Sequence, residues 1–359
     1  MAAASGAPAP ARAGGRRWVK YFLIAAAALA LIGYLAYRGS KAGFEWATFA
    51  GTFRGVRWGW LAASCCVCLL TYAGRALRWR VMIRPLKSAP SFWGILDSTC
   101  IGFTAVVLFG RAGELVRPYL IATRERVSFA SQIAAWFLER VLDLLMVALI
   151  FGTALAQISH SGARIGPRMR WIVETGGYVI GSAGIGCIVV ILLFRYMSDS
   201  MNRRLVDAIR FLPQGIQKKV EAVLASFIEG MGSTRSTGFV VQLLAYSVVE
   251  WTLITISFVT LFRAVPPTRV LTLTDVVIFL GVVALGSVIQ IPAVGGGMQV
   301  ASILVLTEFF RMSLEVSTGI ALVVWAISFL LVVPVGLGLA LKEGVNLRKL
   351  TRLSENNAI

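Results

Sequence analysis

The sequence predicts an all-α polytopic membrane protein, and three observations support this fold class. Of the 359 residues, 57% are hydrophobic and only 14% are charged, and the mean hydropathy is +0.78. Several apolar runs reach about 20 residues, the length that a helix needs to cross a hydrocarbon core of about 30 Å. Most of the 35 Lys and Arg residues lie between these runs rather than within them. Backbone that faces lipid must then be helical, because lipid offers it no hydrogen-bond partner.

The net charge of +18 is better explained by the membrane than by nucleic acid. Basic residues between apolar spans set topology and contact anionic lipids. No G-x-x-x-x-G-K-[ST] motif is present, so ATP-driven pumping by this chain alone is not expected. The five cysteines lack paired C-x-x-C motifs and are interpreted as small buried side chains, and His160 is the only histidine. We therefore expect no metal and no cofactor.

The chain is predicted to consist of one membrane domain between two short tails. Residues 1–17, rich in Ala, Pro and Gly, are predicted to be a disordered tail, and residues 346–359 a cytoplasmic tail. No clear cleavage site follows the first apolar run, so we expect it to remain as an uncleaved span. The membrane domain covers residues 18–345, with predicted spans at 18–37, 57–74, 128–157, 172–194, 239–262 and 316–341.

Two further apolar stretches, 92–109 and 275–291, are each followed by a glycine-bearing break and a shorter helical piece. Each stretch could be a full span or the first arm of a re-entrant hairpin. With both hairpins re-entrant and the N-terminus inside, 24 Lys and Arg residues are cytoplasmic and ten are outside. If 92–109 crosses fully, the numbers become 15 and 19. The positive-inside tendency therefore favours about six transmembrane helices plus two re-entrant hairpins, with both termini cytoplasmic.

The pattern after the first break resembles the pattern after the second, which predicts an inverted-topology repeat. Repeats of this kind place a transporter's site near the midplane, where broken helices meet. We assign the first repeat to about 57–194 and the second to about 239–341, joined by a cytoplasmic segment at 195–238. Within that segment, residues 201–230 are amphipathic. They fit a helix lying on the headgroups and a packed linker equally well.

Three ionisable residues, Glu139, Arg140 and Asp143, occupy the run FLERVLDLL within a predicted span. Each charge costs about 2.5–3.5 kcal/mol at the bilayer centre on insertion scales. Glu139 and Asp143 are four residues apart and share one helical face. The three side chains therefore need charged partners.

The motif GRAGELVR at the first break provides such partners. Gly113 permits a close backbone approach, and Glu114 suits the first turn of a helix. Arg111 and Arg117, together with free backbone N–H groups at the break, form a candidate phosphate site. The alternative is a buried ion-pair network that only holds helices together.

The second break, IQIPAVGGGMQVAS, contains no charge and is either a hinge or a source of backbone groups for a polar headgroup. Asp97 and Glu250 are possible additions to a polar cavity between the two hairpins, and Asp275 is a candidate helix cap. The motif GRALRWR, Gly74 to Arg80, is interpreted as a membrane-edge anchor. The candidate substrate-contacting residues at the second break are Gln290, Gly295, Gly296, Gly297 and Gln299.

GRAGELVRPYL, the later ER-x-x-D of Glu139, Arg140 and Asp143, and the earlier RALRW resemble the flippase-like membrane module of lysylphosphatidylglycerol synthases. The resemblance covers nearly the whole chain after the tail. It implies a bacterial or archaeal inner-membrane protein that moves lipids or lipid-linked sugars between leaflets. Many members carry an Arg-Glu pair where this chain has Met298 and Gln299. The chain ends at Ile359 without the soluble aminoacyl-transferase domain of the two-domain synthases, so lysyl transfer is not expected.

The sequence thus favours a lipid translocase or scramblase, passive or proton-coupled, over an enzyme. A polar headgroup would pass between the two hairpin tips while its acyl chains stay in lipid. Three alternatives stay open: an intramembrane enzyme acting on a lipid phosphate, a carrier of small solutes, and a membrane subunit that serves a partner transferase or glycosyltransferase. The expected partners are anionic or lipid-linked headgroups, not nucleic acid, and the sequence does not define the oligomeric state.

Overall fold

The computed structural model describes residues 41, 43–160, 167–195, 214–234, 236–287, 290–291 and 295–342. Within these ranges the chain is helical apart from turns and two strands of two residues each. The predicted tails at 1–17 and 346–359 and the predicted span at 18–37 lie outside the described residues.

The helices of the first half follow the predicted runs, with one clear extension. Helix α2 continues to Ile83, nine residues beyond its predicted end, because its basic residues find partners inside the protein. A 3₁₀ turn, Gly110–Leu115, separates α3 from α4. The helices are α1 (Trp46–Gly51), α2 (Trp58–Ile83), α3 (Phe92–Phe109), α4 (Val116–Glu125), α5 (Phe129–His160) and α6 (Pro167–Arg195).

The second half contains the two short strands and six further helices among the described residues. A π-helical stretch, Val305–Phe309, continues α10, and another, Ala326–Leu330, joins α11 to α12. The elements are α7 (Gln214–Gly230), α8 (Thr237–Ala264), α9 (Leu273–Gly286), β1 (Gln290–Ile291), β2 (Gly295–Gly296), α10 (Gly297–Leu304), α11 (Leu314–Trp325) and α12 (Val332–Lys342).

The helices confirm a multi-pass membrane protein of the all-α class. Helix α5 has 32 residues but carries three charges near its middle, so its composition differs from that of a simple span. By length and composition, five described segments can cross a membrane: Trp58–Ile83, Phe92–Glu125, Glu174–Leu193, Thr237–Ala264 and Leu314–Lys342.

The segment Phe92–Glu125 is long enough to cross a membrane, but it folds back on itself as a helical hairpin (the first hairpin). The chain turns at Gly110, whose φ of +63° is a left-handed value that favours glycine. Beyond the turn, Arg124 donates a hydrogen bond of 2.7 Å to the carbonyl of Gly94. Helices α3 and α4 therefore run antiparallel and side by side.

The described residues between 273 and 309 form a second hairpin. Its arms are α9, with 14 residues, and α10 with its π-helical continuation, and β1 pairs with β2 between them. Gly296, at the turn, has a φ of +131°. Both arms are shorter than the roughly 20 residues that a membrane crossing needs. β1 contacts the 3₁₀ turn of the first hairpin, so the two hairpin tips meet.

The two hairpins open toward opposite ends of the antiparallel pair α2 and α8. This pair is aligned by hydrogen bonds such as the one that the Ser64 hydroxyl donates to the Ser257 carbonyl at 2.8 Å. The open end of the first hairpin, where α4 ends, lies next to the end of α2, and there Glu125 binds Lys87 Nζ at 2.7 Å. The open end of the second hairpin, where α9 begins, lies next to the start of α2, and there Arg269 donates a hydrogen bond to the Gly55 carbonyl.

Apolar packing surrounds the middle of the bundle in two main clusters. One cluster, at the second hairpin, contains the edge-to-face pair Phe262 and Phe279, whose ring centroids lie 4.9 Å apart, and Phe151. The other, at the first hairpin, contains Ile95 and Leu138. Close packing of this kind supplies the dispersion contacts that hold helices together in lipid.

The structure bears on two smaller sequence interpretations. Helix α7, within the amphipathic segment, packs on α5, with the rings of Phe227 and Phe137 6.3 Å apart. Asp275 caps α9 as predicted, since it accepts a hydrogen bond from the Thr272 N–H while the Thr272 hydroxyl accepts one from the Asp275 N–H. Residues 201–213 lie outside the described residues.

Candidate functional site

A cavity of about 470 Å³ lies where the two hairpins meet helices α2, α5 and α8. The first hairpin contributes Phe103, Arg111 and Glu114 to its wall, and the second contributes Leu280 and Met298. This volume falls within the range of about 300–1,000 Å³ that is usual for small-molecule sites. The cavity is therefore large enough for a lipid headgroup.

The wall of the cavity is mostly apolar but includes several charged side chains. Aromatic and aliphatic side chains make up most of the wall, with Trp136 and Trp251 among them. Few, well-placed polar groups on an apolar wall are typical of ligand-binding sites. The charged side chains of the wall are Arg75, Arg111, Glu114, Arg140 and Asp143.

Arg78 is the centre of an ion-pair network behind this wall. Its side chain is fully buried, and its terminal nitrogens lie 2.8 Å from Asp143, 2.9 Å from Glu139 and 3.3 Å from Glu250. It also donates to the Ser247 hydroxyl at 3.1 Å. Three carboxylates from α5 and α8 thus converge on one guanidinium, whose planar fork suits several acceptors at once.

Arg117 joins the first hairpin to the same network. Its guanidinium forms a two-pronged ion pair with the carboxylate of Glu139. It also lies over the ring of Trp79, 4.1 Å from the centroid, and near the ring of Phe103, at 5.1 Å. Because both charges are buried, this pair fixes the hairpin against α5.

Arg140 and Arg75 connect the buried network to the cavity. Arg140 lies 3.3 Å from Glu139 and 3.2 Å from Asp143, and 41% of its side chain is exposed. Arg75 lies 2.9 Å from the buried Glu250. Both guanidinium groups can therefore meet an anion in the cavity while they keep their protein partners.

Four of the sequence-predicted site residues come together in the cavity wall: Arg111, Glu114, Arg140 and Asp143. Arg111 and Glu114 form a loose ion pair of 3.9 Å. Glu114 belongs to the 3₁₀ turn, whereas the sequence placed it in the first turn of the helix. The prediction that the tip of the first hairpin meets the charges of α5 is consistent with these positions.

Three other predicted residues of the first half lie behind the cavity. Arg117 and Glu139 pair with each other and are buried. Gly113 packs directly against the backbone of Ala105, where a side chain has no room. These residues position the hairpin and do not line the cavity.

The predicted residues of the second break form the turn of the second hairpin. Gln290 pairs with Gly296 across the two strands, next to the pair formed by Gly295 with Ile291. Helix α10 begins at Gly297. The Gln299 side chain accepts a hydrogen bond of 2.8 Å from the Gly296 N–H and so supports the turn.

The interpretation of GRALRWR as a membrane-edge anchor was wrong. Arg78 and Trp79 are fully buried, because α2 continues through this motif and carries both residues into the network. Arg75, one helical turn earlier, reaches the cavity. The sequence contained a signal for this, because Arg75 and Arg78 are three residues apart and therefore lie on one face of a helix. If the buried arginines are no longer counted as cytoplasmic, the re-entrant arrangement still has more Lys and Arg residues inside than outside.

Two further sequence interpretations need correction. Asp97 does not line the described cavity, and Glu250 lies in the network behind the wall rather than in the wall itself. Of the cysteines, Cys68, Cys100 and Cys187 are buried as expected, whereas Cys66 is exposed on the surface of α2 and Cys65 is partly exposed.

The fold and the cavity define a polytopic helical membrane protein with a charged internal site between two helical hairpins. The chain belongs to the family described as the lysylphosphatidylglycerol synthase TM region, which matches residues 18–336. Over 189 residues it is 25% identical to the glycosyltransferase AglD of Haloferax volcanii. That alignment covers 48% of this chain and 30% of the glycosyltransferase. No solved structure matches the chain.

Proposed function

We propose that the protein is a lipid translocase that moves an anionic or lipid-linked headgroup between leaflets through the cavity. One observation carries the proposal: the two hairpin tips meet at a cavity whose apolar wall bears five charged side chains. Ionisable groups inside membrane domains mark substrate and ion pathways, because they are costly to keep there. Membership of the lysylphosphatidylglycerol synthase TM region family supports a membrane role.

In this proposal both hairpins are re-entrant and enter from opposite leaflets. The arms of the second hairpin are too short to cross, and the hairpins open toward opposite ends of α2. Such a pair is the core of an inverted-topology repeat, which places the site near the midplane. We assign the protein to the cytoplasmic membrane of a bacterium or archaeon, with both termini on the cytoplasmic side.

The cavity would carry the headgroup while the acyl chains stay in lipid. Arg111, with 65% of its side chain exposed, lies at the cavity edge where a headgroup would first be met. Arg140 lies deeper and would accept the phosphate next, since guanidinium groups bind phosphate through paired hydrogen bonds. Transport would be passive or coupled to protons. No catalytic step is required of this chain, and we propose that it is not an enzyme.

A second candidate is a membrane subunit that serves a glycosyltransferase. The observation that favours it is the partial match to the glycosyltransferase AglD, which covers 30% of that protein. In that case the cavity would hold a lipid-linked sugar for a partner enzyme, and the purified chain would be inert by itself.

Headgroup translocation in liposomes tests the proposal. The purified protein would be reconstituted with a panel of labelled phospholipids and a polyprenyl-linked sugar. We expect rapid transfer by the wild type and a loss of at least about 100-fold, near background, in Arg111→Ala and Glu139→Gln. The first variant removes the guanidinium at the cavity edge. The second removes the charge that pairs with Arg117 and one of the three carboxylates around Arg78, at a cost of about 3–5 kcal/mol for a broken buried pair.

The matched control for these variants is Arg84→Gln. Arg84 lies near the end of α2 and contacts only the exposed end of Gln242, at 3.4 Å, among the contacts described for it. It should transfer lipid like the wild type, and all variants must elute from size exclusion as folded protein. A wild type that moves no lipid in the panel would reject the translocase and favour the partner-subunit candidate.

A further inference from the structure

We infer that the cavity selects a headgroup with a net charge of one negative unit, a phosphodiester without a cationic group (a monoanionic phosphodiester), over zwitterionic and doubly charged headgroups. The inference rests on the proposed function, because it names the substrate class of the same site. It is carried by the charge balance of the cavity and of the network behind it. Two lipid classes share this chemistry: glycerophospholipids such as phosphatidylglycerol, and polyprenyl phosphates that carry a sugar.

The charges of the cavity and its network leave an excess of one positive charge among the described residues. Seven of the side chains form one connected set, in which carboxylates lie 2.8–3.3 Å from guanidinium groups, and the Arg117–Glu139 pair is closer still. Arg111 and Glu114 form a separate pair, at 3.9 Å, in the wall of the same cavity. With each group in its usual ionised form, five arginines face four carboxylates. The arginines are Arg75, Arg78, Arg111, Arg117 and Arg140, and the carboxylates are Glu114, Glu139, Asp143 and Glu250.

The excess charge is directed toward the cavity rather than into the core. Arg78 and Arg117 are buried and surrounded by carboxylates and aromatic rings. The guanidinium groups that reach the cavity are those of Arg75, Arg111 and Arg140, while only Glu114 and Asp143 bring negative charge to its wall. The wall itself therefore also carries an excess of one positive charge.

An uncompensated charge in an apolar surrounding is unfavourable, and an occupant can remove that penalty. A monoanionic phosphodiester brings one negative charge and makes the site neutral. A zwitterionic headgroup leaves the positive charge uncompensated, and a phosphomonoester with close to two charges reverses the excess. Because most of the wall is apolar, few other polar groups are available to balance either mismatch.

Binding and transport would be measured with lipids that differ in headgroup charge. Binding would be followed in detergent by tryptophan fluorescence, since Trp136 and Trp251 line the cavity. The ligands would be short-chain phosphatidylglycerol, phosphatidylcholine, phosphatidate at pH 8.5, where it carries nearly two charges, and a polyprenyl phosphate sugar. We expect the two phosphodiester monoanions to bind at least about tenfold more tightly than the other two ligands, a difference of about 1.4 kcal/mol.

Variants that change the charge by one test whether charge balance causes the preference. Arg75→Gln makes the site neutral and should favour phosphatidylcholine relative to phosphatidylglycerol. Glu114→Gln raises the excess to two and should favour phosphatidate. The double variant Arg75→Gln, Glu114→Gln restores the excess of one and should recover the preference for monoanionic phosphodiesters. Ratios between ligands are compared, so a partial loss of folded protein does not change the result.

Each outcome separates this inference from the proposed function. If all four ligands bind alike, or if the ratios do not follow the charge variants, the inference is wrong even if lipid is transported. If monoanionic phosphodiesters bind preferentially but no lipid moves, the inference holds for the site and the translocase is rejected. Preference for only one of the two phosphodiester lipids would identify which source the site uses.

Discussion

Replacing Arg78 with methionine is expected to lower the free energy of unfolding by about 3–5 kcal/mol, the usual cost of removing one partner from a buried ion pair. Arg78 is fully buried, and Asp143, Glu139 and Glu250 all lie within 3.3 Å of its guanidinium nitrogens. Methionine fills a similar volume but leaves three carboxylates close together with fewer counter-charges. Their mutual repulsion adds to the desolvation cost.

Thermal stability in detergent, followed by fluorescence-detected size exclusion, measures this effect. The control is Arg84→Met, the same substitution 6 positions further along the chain, just past the end of α2, where the Arg84 side chain meets only the exposed Gln242 among the contacts described. Adding Glu250→Gln to Arg78→Met removes one of the three carboxylate charges and should recover part of the loss. Equal stability of Arg78→Met and Arg84→Met would contradict the central position of Arg78.

Replacing Gly102 with valine should force the arms of the first hairpin apart. A Cβ atom at Gly102 would lie 2.5 Å from Cβ of Arg117 and 3.1 Å from its Cα, so the backbone of α4 must move. Overpacking of this kind costs about 1–3 kcal/mol. The displacement also draws Arg117 away from Glu139, so we expect lipid transfer to fall at least about tenfold in protein that is still folded.

The control is Gly186→Val in α6, where an added Cβ atom meets no other atom within 4 Å. Lipid transfer in liposomes and thermal stability are measured for both variants. Gly186→Val should match the wild type in both measurements. Wild-type transfer by Gly102→Val would show that close contact between the arms is not needed for function.

The sequence allowed the first hairpin and its charged partners to be predicted, because each depends on local signals. Gly110 marks the turn, and the three charges at Glu139, Arg140 and Asp143 are too costly in lipid to lack partners. These signals require only the spacing of residues and the energy of burying charge. They could not show which arginine would pair with which carboxylate, since those contacts join distant parts of the chain.

The GRALRWR motif shows where local reasoning failed. A basic cluster at the end of an apolar run usually marks the membrane edge, and that rule alone places Arg78 in the headgroup region. The structure instead buries Arg78 against Glu250, 172 positions away in sequence, at 3.3 Å. Glu250 is the only carboxylate in α8, and it needed a cationic partner just as the arginines of α2 needed carboxylates. Pairing unpaired charges between predicted spans would have identified the contact.

The break in the second hairpin could be predicted from the sequence, but the role of its polar residues could not. Its three glycines and proline marked a break, and α9 and α10 do flank one. The assignment of Gln299 to the substrate could not be separated from a role in the turn, because a glutamine three residues after a turn can also support the start of a helix. The structure shows that helix-starting contact, at 2.8 Å to the Gly296 N–H.

Chemical blocking of the cavity tests most directly whether headgroups pass through it. Two proteins with one cysteine each would be prepared: one retains only Cys66, which is exposed and outside the cavity, and the other carries only Ser328→Cys, in the cavity wall. Both would be labelled with a bulky thiol reagent, with the extent of labelling measured by mass spectrometry. We predict that labelling at position 328 stops lipid transfer and that labelling at Cys66 leaves it unchanged. Undiminished transfer after complete labelling at position 328 would contradict a route through this cavity.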